Sequence, residues 1–497
     1  MRRTQFIGLW LVVTASLAPA YRLKAETLQD ALIAAYRTNP DLEAQRAKLR
    51  STDEAFIQAR AEFAATISLQ TQATYTHDAY GRQSRLQTQA LSPGASVYTE
   101  QNSVTPQLVL TQPLFTSGRI SADIKAASAQ VKADRQALRI AEGTVLFNVI
   151  QAYADVVRDQ AALDIRKLNL DMLRHQLAET QAMQRAGEIT RTDVAQIEAE
   201  LATEEDLNSQ AAAQLEISRA NYAAVVGHTP DGLAPLPDLG GRLGSVSDII
   251  ASAEADNPQI QQALYAEEAS HARIYAAKAN QGVNVNAQIQ GGYQGAMSPF
   301  YSPNLDRVLT ATVNVTVPLS TGGQLSSLTR QAYDLNAVDK LNVESVHRNV
   351  IKAVATAWQQ WHAAQQSVET EDRAVTSAAV AFEGMGKEYK VAQRSTLDVL
   401  LAEETQRNAE LALNTAKHDA YLYEASLLEI MGRLEITNLT KGDHPYDPGA
   451  HLKAVSPQIS SVIDAPLKAL DGLADGPIKP VSLPRQDKHS TPNDKLR

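Results

Sequence analysis

The sequence predicts a mainly α-helical chain that crosses a membrane only through β-strands, four per chain, with several copies sharing one barrel. Three observations carry this expectation. A set of landmarks occurs twice along the chain. Short segments alternate apolar with uncharged polar residues, and the remaining stretches hold apolar residues at helical spacing with little glycine or proline.

The duplication comes first because a missed repeat misreads the whole fold. Asn39-Pro40 recurs as Asn257-Pro258, and Tyr75 recurs as Tyr293, both 218 positions on. Further along, Gln112-Pro113-Leu114-Phe115-Thr116-Ser117-Gly118 answers Val317-Pro318-Leu319-Ser320-Thr321-Gly322-Gly323, now 205 positions apart. Asp193-Val194 and Asp398-Val399 keep that 205. The difference of 13 falls in a polar, turn-rich stretch, residues 77–101 in the first copy and 295–303 in the second. One unit used twice, with a longer loop in its first copy, accounts for all four matches. The copies are read as residues 26–228 and 246–440, joined by a connection at 229–245. The polar tail at 441–497, rich in Pro, Ser, Asp and Lys, is expected to be partly disordered.

Each copy carries two strand-like segments around that loop. From Phe63 the odd positions read Phe63, Ala65, Ile67, Leu69, Thr71, Ala73 and Tyr75, while the even ones are Ala64, Thr66, Ser68, Gln70, Gln72, Thr74 and Thr76. The return segment sets Val104, Leu108 and Leu110 against Thr105, Gln107 and Thr111. In the second copy Val283, Val285, Ala287, Ile289 and Tyr293 alternate with Asn284, Asn286, Gln288, Gln290 and Gln294. Its return sets Leu309, Ala311, Val313, Val315 and Val317 against Thr310, Thr312, Asn314 and Thr316. Period-two alternation gives one apolar and one polar face. The segments are about the ~9–11 residues that a strand needs to cross a bilayer. A soluble hairpin would alternate in the same way, but the aromatic residues Phe63, Tyr75, Phe115 and Tyr293 at the strand ends favour a membrane. Four strands cannot close a barrel, and an open edge in lipid would leave backbone groups unpaired. Two copies would give eight strands around a filled lumen; three give twelve and room for a pore, and three is expected.

The N-terminus reads as a secretory signal at 1–25. Arg2 and Arg3 precede a mostly apolar run of 12 residues, Phe6 to Leu17, shorter than the ~20 a membrane helix needs. Ala18-Pro19-Ala20 and Ala25 are both candidate cleavage points, and Ala25, just before the acidic Glu26, is preferred. Cleavage there removes Arg2, Arg3, Arg22 and Lys24, taking the formal charge from −10 to −14. An acidic exported chain has no electrostatic reason to bind nucleic acid. With no cysteine among 497 residues, disulfides, thiol nucleophiles and thiolate metal sites are excluded.

Outside the hairpins the chain reads as helix. From Arg119 to Ala186 there is no proline and a single glycine, Gly143. Ile124, Val131, Leu138 and Val145 fall seven apart, and Val156, Leu163, Leu170 and Leu177 resume that step after a shift, which is coiled-coil spacing with an inserted step of four. Such a helix would be roughly 100 Å long, and helices over 26–62 and 188–226 would add roughly 55 and 60 Å. The second copy repeats the scheme at 246–280, 325–391 and 396–431. Small residues such as Ala126-Ala127 and Ala363-Ala364 permit close lateral contact. A plain coiled-coil rod would look similar, but the hairpins between the helices argue against it.

The sequence carries no hydrolase, phosphate-loop or dinucleotide fingerprint, and no catalytic residue, cofactor or metal is expected. Two Glu-x-x-His units, Glu268–His271 and Glu344–His347, sit in glutamate-rich helices where chance supplies them easily. Trp358 and Trp361 read as packing residues.

Taken together, the Asn-Pro helices, the Gln-Pro-Leu-Phe and Val-Pro-Leu strand exits and two helix-tip motifs resemble the TolC-like outer-membrane efflux proteins. The tips read Arg185-Ala-Gly-Glu-Ile-Thr-Arg-Thr-Asp193-Val194 and Tyr389-Lys-Val-Ala-Gln-Arg394-Ser-Thr-Leu-Asp398-Val399. The resemblance spans roughly residues 26–439. It implies a homotrimer with a twelve-stranded barrel in the outer-membrane lipid of a Gram-negative cell and a tapering α-helical coiled-coil tunnel in the periplasm. The implied function is an export channel of a tripartite efflux or type I secretion system, docked to a periplasmic adaptor and an inner-membrane pump. By the same resemblance Tyr389 and Arg394 close the periplasmic gate by polar links to Asp193 and Thr192, and Asp398 is a constriction residue. A second acid of the family falls on Leu401, with Glu403 and Glu404 one turn further. The adaptor-docking tips would include Gly187, Glu188, Ala392 and Gln393. The rival reading is a structural envelope protein or trimeric adhesin without a conducting channel.

Overall fold

The computed structural model describes residues 25–79, 81–91, 98–240, 244–296, 305–391, 393–439 and 445–456, with Ala469 and Asp471. The expected signal segment, Ala25 excepted, lies outside the described residues, as do parts of both hairpin loops and Ala392. The elements run α1 (Leu28–Thr38), α2 (Pro40–Ala61), β1 (Thr66–Ala79), α3 (Arg82–Leu91), β2 (Tyr98–Phe115), α4 (Arg119–Ala186) and α5 (Arg191–Val226). The second copy follows as α6 (Val246–Asp256), α7 (Pro258–Ala279), β3 (Asn284–Ala296), β4 (Asp306–Thr316), α8 (Gln324–Lys390) and α9 (Thr396–Ile430). Two short helices follow, α10 (Ile436–Leu439) and α11 (Ala450–Val455). Among the described residues no helix is long and apolar enough to cross a membrane.

The chain packs as two compact units. One comprises Met1–Arg37, Asn148–Leu239 and Gln365–Leu422; the other comprises Thr38–Phe147, Gly240–Ala364 and Tyr423–Arg497. Each unit draws on both sequence copies, so the repeat in sequence is not the unit of packing.

The second unit holds one antiparallel sheet of four strands in the order β1-β2-β3-β4. Both hairpins form, and β2 also pairs with β3 across the intervening helices. The register brings Ile67, Leu110, Ile289 and Ala311 into one row, and Leu69, Leu108, Gly291 and Leu309 into the next. On the other face the rows read Thr66, Thr111, Gln288, Thr312 and Ser68, Val109, Gln290, Thr310. The alternation read from each segment therefore becomes one continuous apolar face across all four strands, and most of its large side chains are exposed, Leu69 at 74% and Leu309 at 79%. Gly292 is required where β3 crosses β2, because a Cβ there would stand 2.2 Å from the Pro106 carbonyl oxygen. Among the described residues the end strands β1 and β4 have a neighbour on one side only.

Several expectations are corrected here. Phe63 does not start a strand: it is buried in the turn before β1, packed with Ile120 and against Leu114 and Ile124. The strands also reach further into the loop than read from sequence, and the first loop contains α3.

The rods expected over 26–62 and 246–280 each break at the Asn-Pro pair. Proline supplies no N–H and holds the residue before it extended, so Asn39 (ψ 123°) and Asn257 (ψ 122°) leave the helical region. Each asparagine then caps the next helix. Asn39 Oδ1 accepts from Asp41 N and Leu42 N at 3.0 and 3.3 Å, and Asn257 Oδ1 from Gln259 N and Ile260 N at 2.9 and 3.2 Å. Asn257 Nδ2 also donates to the Ile430 carbonyl at 2.8 Å. Around this corner Ile249, Ile260, Val350, Val354, Leu427 and Met431 form a core, with Trp358 and Trp361 packed on it as ring neighbours 5.3 Å apart.

The described residues of the tail touch the rest of the second unit at two places. His451 of α11 bonds Asp53 on α2 at 3.3 Å, and Arg60 donates to Ser456 at 2.7 Å. Further on, Asp471 is fully buried at the start of α4. Its Oδ1 accepts from Thr116 N, Thr116 Oγ1 and Gly118 N at 2.8, 2.9 and 3.0 Å, and its Oδ2 from Ser121 Oγ at 3.2 Å. A carboxylate against helical N–H groups offsets the positive end of the helix dipole, which is why this acid tolerates burial.

The face assignment has a direct check. Leu69→Arg puts a charge on the apolar face and should cost about 2–4 kcal/mol and impair assembly in membranes. Gln70→Arg, on the opposite face, should assemble normally; equal yields of folded protein from both variants would refute the assignment.

Candidate functional site at the helix tips

Two tight turns, α4 to α5 and α8 to α9, belong to the first packing unit. The α4–α5 turn exists because Gly187 adopts φ 82°, letting Glu188 N return to the Met183 carbonyl at 3.0 Å. Thr190 then caps α5: Asp193 Oδ2 accepts from Thr190 N and Oγ1 at 3.0 and 2.7 Å, while Asp193 N donates back to Thr190 Oγ1. The second copy repeats this 205 positions on, with Ser395 N and Oγ donating to Asp398 Oδ2 at 3.0 and 2.9 Å. The duplication read from Asp193 and Asp398 is thus a shared capping device.

These bonds hold both carboxyls below the usual carboxylate range, Asp193 chiefly through the Thr190 hydroxyl and Asp398 chiefly through the Ser395 backbone N–H. An acid with a depressed value contributes its stability above the ordinary range and loses it as pH falls through the folded value. Both caps therefore persist across the neutral range.

Among the described residues of the single chain, neither gate link expected from the sequence is formed. Asp193 Oδ1 accepts from Thr396 Oγ1 at 3.4 Å, joining the starts of α5 and α9, and Tyr389 does not bond it. Arg394 Nε donates to Glu388 Oε2 at 2.8 Å, which raises the guanidinium's value, while Thr192 stays exposed on the first turn of α5. The physical reason is proximity: the Glu388 carboxylate lies on the turn before Arg394, and Thr396 faces the Asp193 oxygen that the cap leaves free. Tyr389, Asp193, Arg394, Glu188, His175 and Phe382 do line one cavity of about 710 Å3. Gly187, Glu188 and Gln393 are exposed on the turns. Leu401 is exposed, Glu403 is buried and Glu404 is exposed.

Sequence reading missed Thr396 and Glu388 as partners. It also missed a buried group on α4, α5 and α9 comprising Arg166, Asn169, Glu204, Glu403 and Arg407. The Thr-x-x-Asp and Ser-x-x-Asp spacing of the caps was a legible signal for the first pair of turns. The two Glu-x-x-His units are taken up elsewhere: Glu268 by Lys132, His271 by the Tyr275 ring, Glu344 by Arg348 and His347 by Glu254. Among the described residues no group of three His, Cys, Asp or Glu side chains could hold a metal ion.

The family model for outer membrane efflux proteins matches residues 32–228 and 249–433. The chain belongs to this family. The outer membrane efflux protein BepC of Brucella suis biovar 1 (strain 1330) is 31% identical over 434 residues, covering 87% of this chain and 91% of that one. The outer membrane protein TolC of Escherichia coli (strain K12) is 24% identical over 456 residues, covering 87% and 86%. The solved outer-membrane channel OprN superposes with a TM-score of 0.71 at 18% identity, covering 82% of this chain and 89% of that one, a likeness of fold. Family membership places the chain in the outer membrane with its helices in the periplasm, as a channel protein of the efflux class.

The caps can be tested separately. Thr190→Ala should cost about 1 kcal/mol and speed amide exchange in the first turn of α5, and Ser395→Ala should fray α9 in the same way. Unchanged exchange at those turns would contradict the capping assignment.

Proposed function

We propose that three copies of this chain form an export channel, the outer-membrane duct of a tripartite efflux or type I secretion system. A periplasmic adaptor and an inner-membrane pump deliver its substrates. The observation that carries the reading is the sheet, which has an apolar face suited to lipid and two edges without a partner strand. Three such sheets close a twelve-stranded barrel wide enough for a water-filled lumen. BepC's own designation as an efflux protein supports the same class.

In this reading Thr192, Asp193, Tyr389, Arg394 and Asp398 form the periplasmic gate, and Gly187, Glu188, Ala392 and Gln393 offer the adaptor its docking tips. Links between exposed groups such as these are individually weak. Repeated by symmetry, they bias a two-state opening by an amount that an adaptor can overcome by binding the open form better. Arg394 keeps its Glu388 partner within the chain, so its gating link forms by exchange with a neighbouring chain. A structural protein or adhesin would instead show no conductance at all.

Single-channel recording in planar bilayers tests both levels. The purified protein should conduct, and Tyr389→Phe combined with Arg394→Ser should raise its conductance while leaving assembly intact. No conductance from a correctly assembled protein would overturn the channel reading; unchanged conductance in the double variant would move the gate elsewhere.

A further inference from the structure

Behind the tips, in the same packing unit, three helices meet through charges that the gate does not use. Glu204 on α5 is fully buried, and Glu403 and Arg407 on α9 are 3% and 7% exposed. Arg407 Nη1 stands 3.2 Å from Glu204 Oε2 and 3.6 Å from Glu200 Oε1, and Arg166 Nη1 of α4 stands 3.4 Å from Glu204 Oε1. In the amide orientation that satisfies both neighbours, Asn169 of α4 donates to Glu403 Oε1 at 2.6 Å and accepts from Arg407 Nη1 at 2.7 Å. The same three helices also share a hydrophobic cluster of Leu173, Ile197 and Leu400.

The charges do not balance unless Glu403 is neutral. Two guanidiniums, Arg166 and Arg407, face two carboxylates, Glu200 and Glu204, and Glu403 is the surplus acid. Its Oε2 is buried with no hydrogen-bond partner, a place where a proton is tolerated and a full negative charge is costly. We propose that this group is a proton-operated bolt: protonated Glu403 lets α9 lock against α4 and α5, and its deprotonation releases the lock. The proposal deepens the channel reading, because the bolted helices are those whose ends carry the gate.

Burial outweighs the attraction by Arg407 and, with smaller repulsions from Glu200 and Glu204, pushes Glu403 up to about 7. No titratable group of α8 acts on it. In the released form the carboxyl meets water and returns to its ordinary value near 4.5. A raised acid of this kind makes the packed form hold a proton that the released form does not. The lock is therefore at full strength below about pH 4.5, weakens steadily as pH rises to about 7, and changes no further above that. The cap acids Asp193 and Asp398 lie below this window and do not contribute to it.

The test is amide hydrogen exchange on the assembled protein in lipid nanodiscs at pH 5.5 and pH 7.5, corrected for the intrinsic pH dependence of exchange. Protection at 400–410 should fall more than tenfold between the two, while the segment around Tyr153 and Tyr222 stays level. Glu403→Gln, the same shape without a titratable group, should be protected at both pH values, and Glu404→Gln on the exposed side should behave as the parent. A parent protein without the fall, or Glu403→Gln that keeps it, overturns the bolt. The measurement needs no conductance, so its failure leaves the channel reading standing and a silent channel leaves the bolt standing.

Discussion

The backbone groups on the outer edges of β1 and β4 constrain everything else about this chain. Among the described residues neither edge has a partner strand, and in hydrocarbon each backbone group left unpaired costs several kcal/mol. The apolar face over all four strands makes the sheet suited to lipid, yet the sheet cannot rest there alone. Closure by further copies removes the edges, and with it the long helices that follow β2 and β4 are brought together as a set. The uncharged Gln, Asn and Thr face then lines an interior that water can fill.

A second theme is how the chain controls where its helices stop. Both Asn-Pro corners and both tips end helices with side chains that satisfy the orphan N–H groups, so each break is fixed by local chemistry. The two copies differ at their strand exits. At the first, Ser117 takes φ 53°, its hydroxyl donates to the Val283 carbonyl at 2.8 Å, and Asp471 seals the helix start. At the second, Gly322 and Gly323 make the turn at φ 61° and 84°, and both are exposed. The duplication supplied two exits, and among the described residues the tail carboxylate clamps the first.

Much of this was legible in the residues because the governing physics is local. Alternation along Ile67–Tyr75 and Val283–Tyr293 reports which face is apolar, and α4 begins and ends where glycine and proline spacing placed it. The Asn-Pro pairs were seen as repeat markers but not as breaks, although proline's missing N–H decides the matter. The site was harder, since a side chain's partner depends on which helices meet. Arg394 finds Glu388 on its own turn, and Asp193 spends one oxygen on Thr190 before reaching Thr396. The Glu204, Glu403 and Arg407 group comes from helices some two hundred positions apart, which no periodicity reveals. Asp471 lay in a stretch whose composition reads as disorder, and a single buried carboxylate leaves no compositional trace.

The central claim is that this sheet exists in a membrane only as part of a barrel shared between chains. The most direct measurement is the mass of the intact particle released from lipid nanodiscs, with the lipid and detergent contributions resolved. Three chains per particle is the result this account requires. A folded single chain, stable in lipid with β1 and β4 both intact, would contradict it.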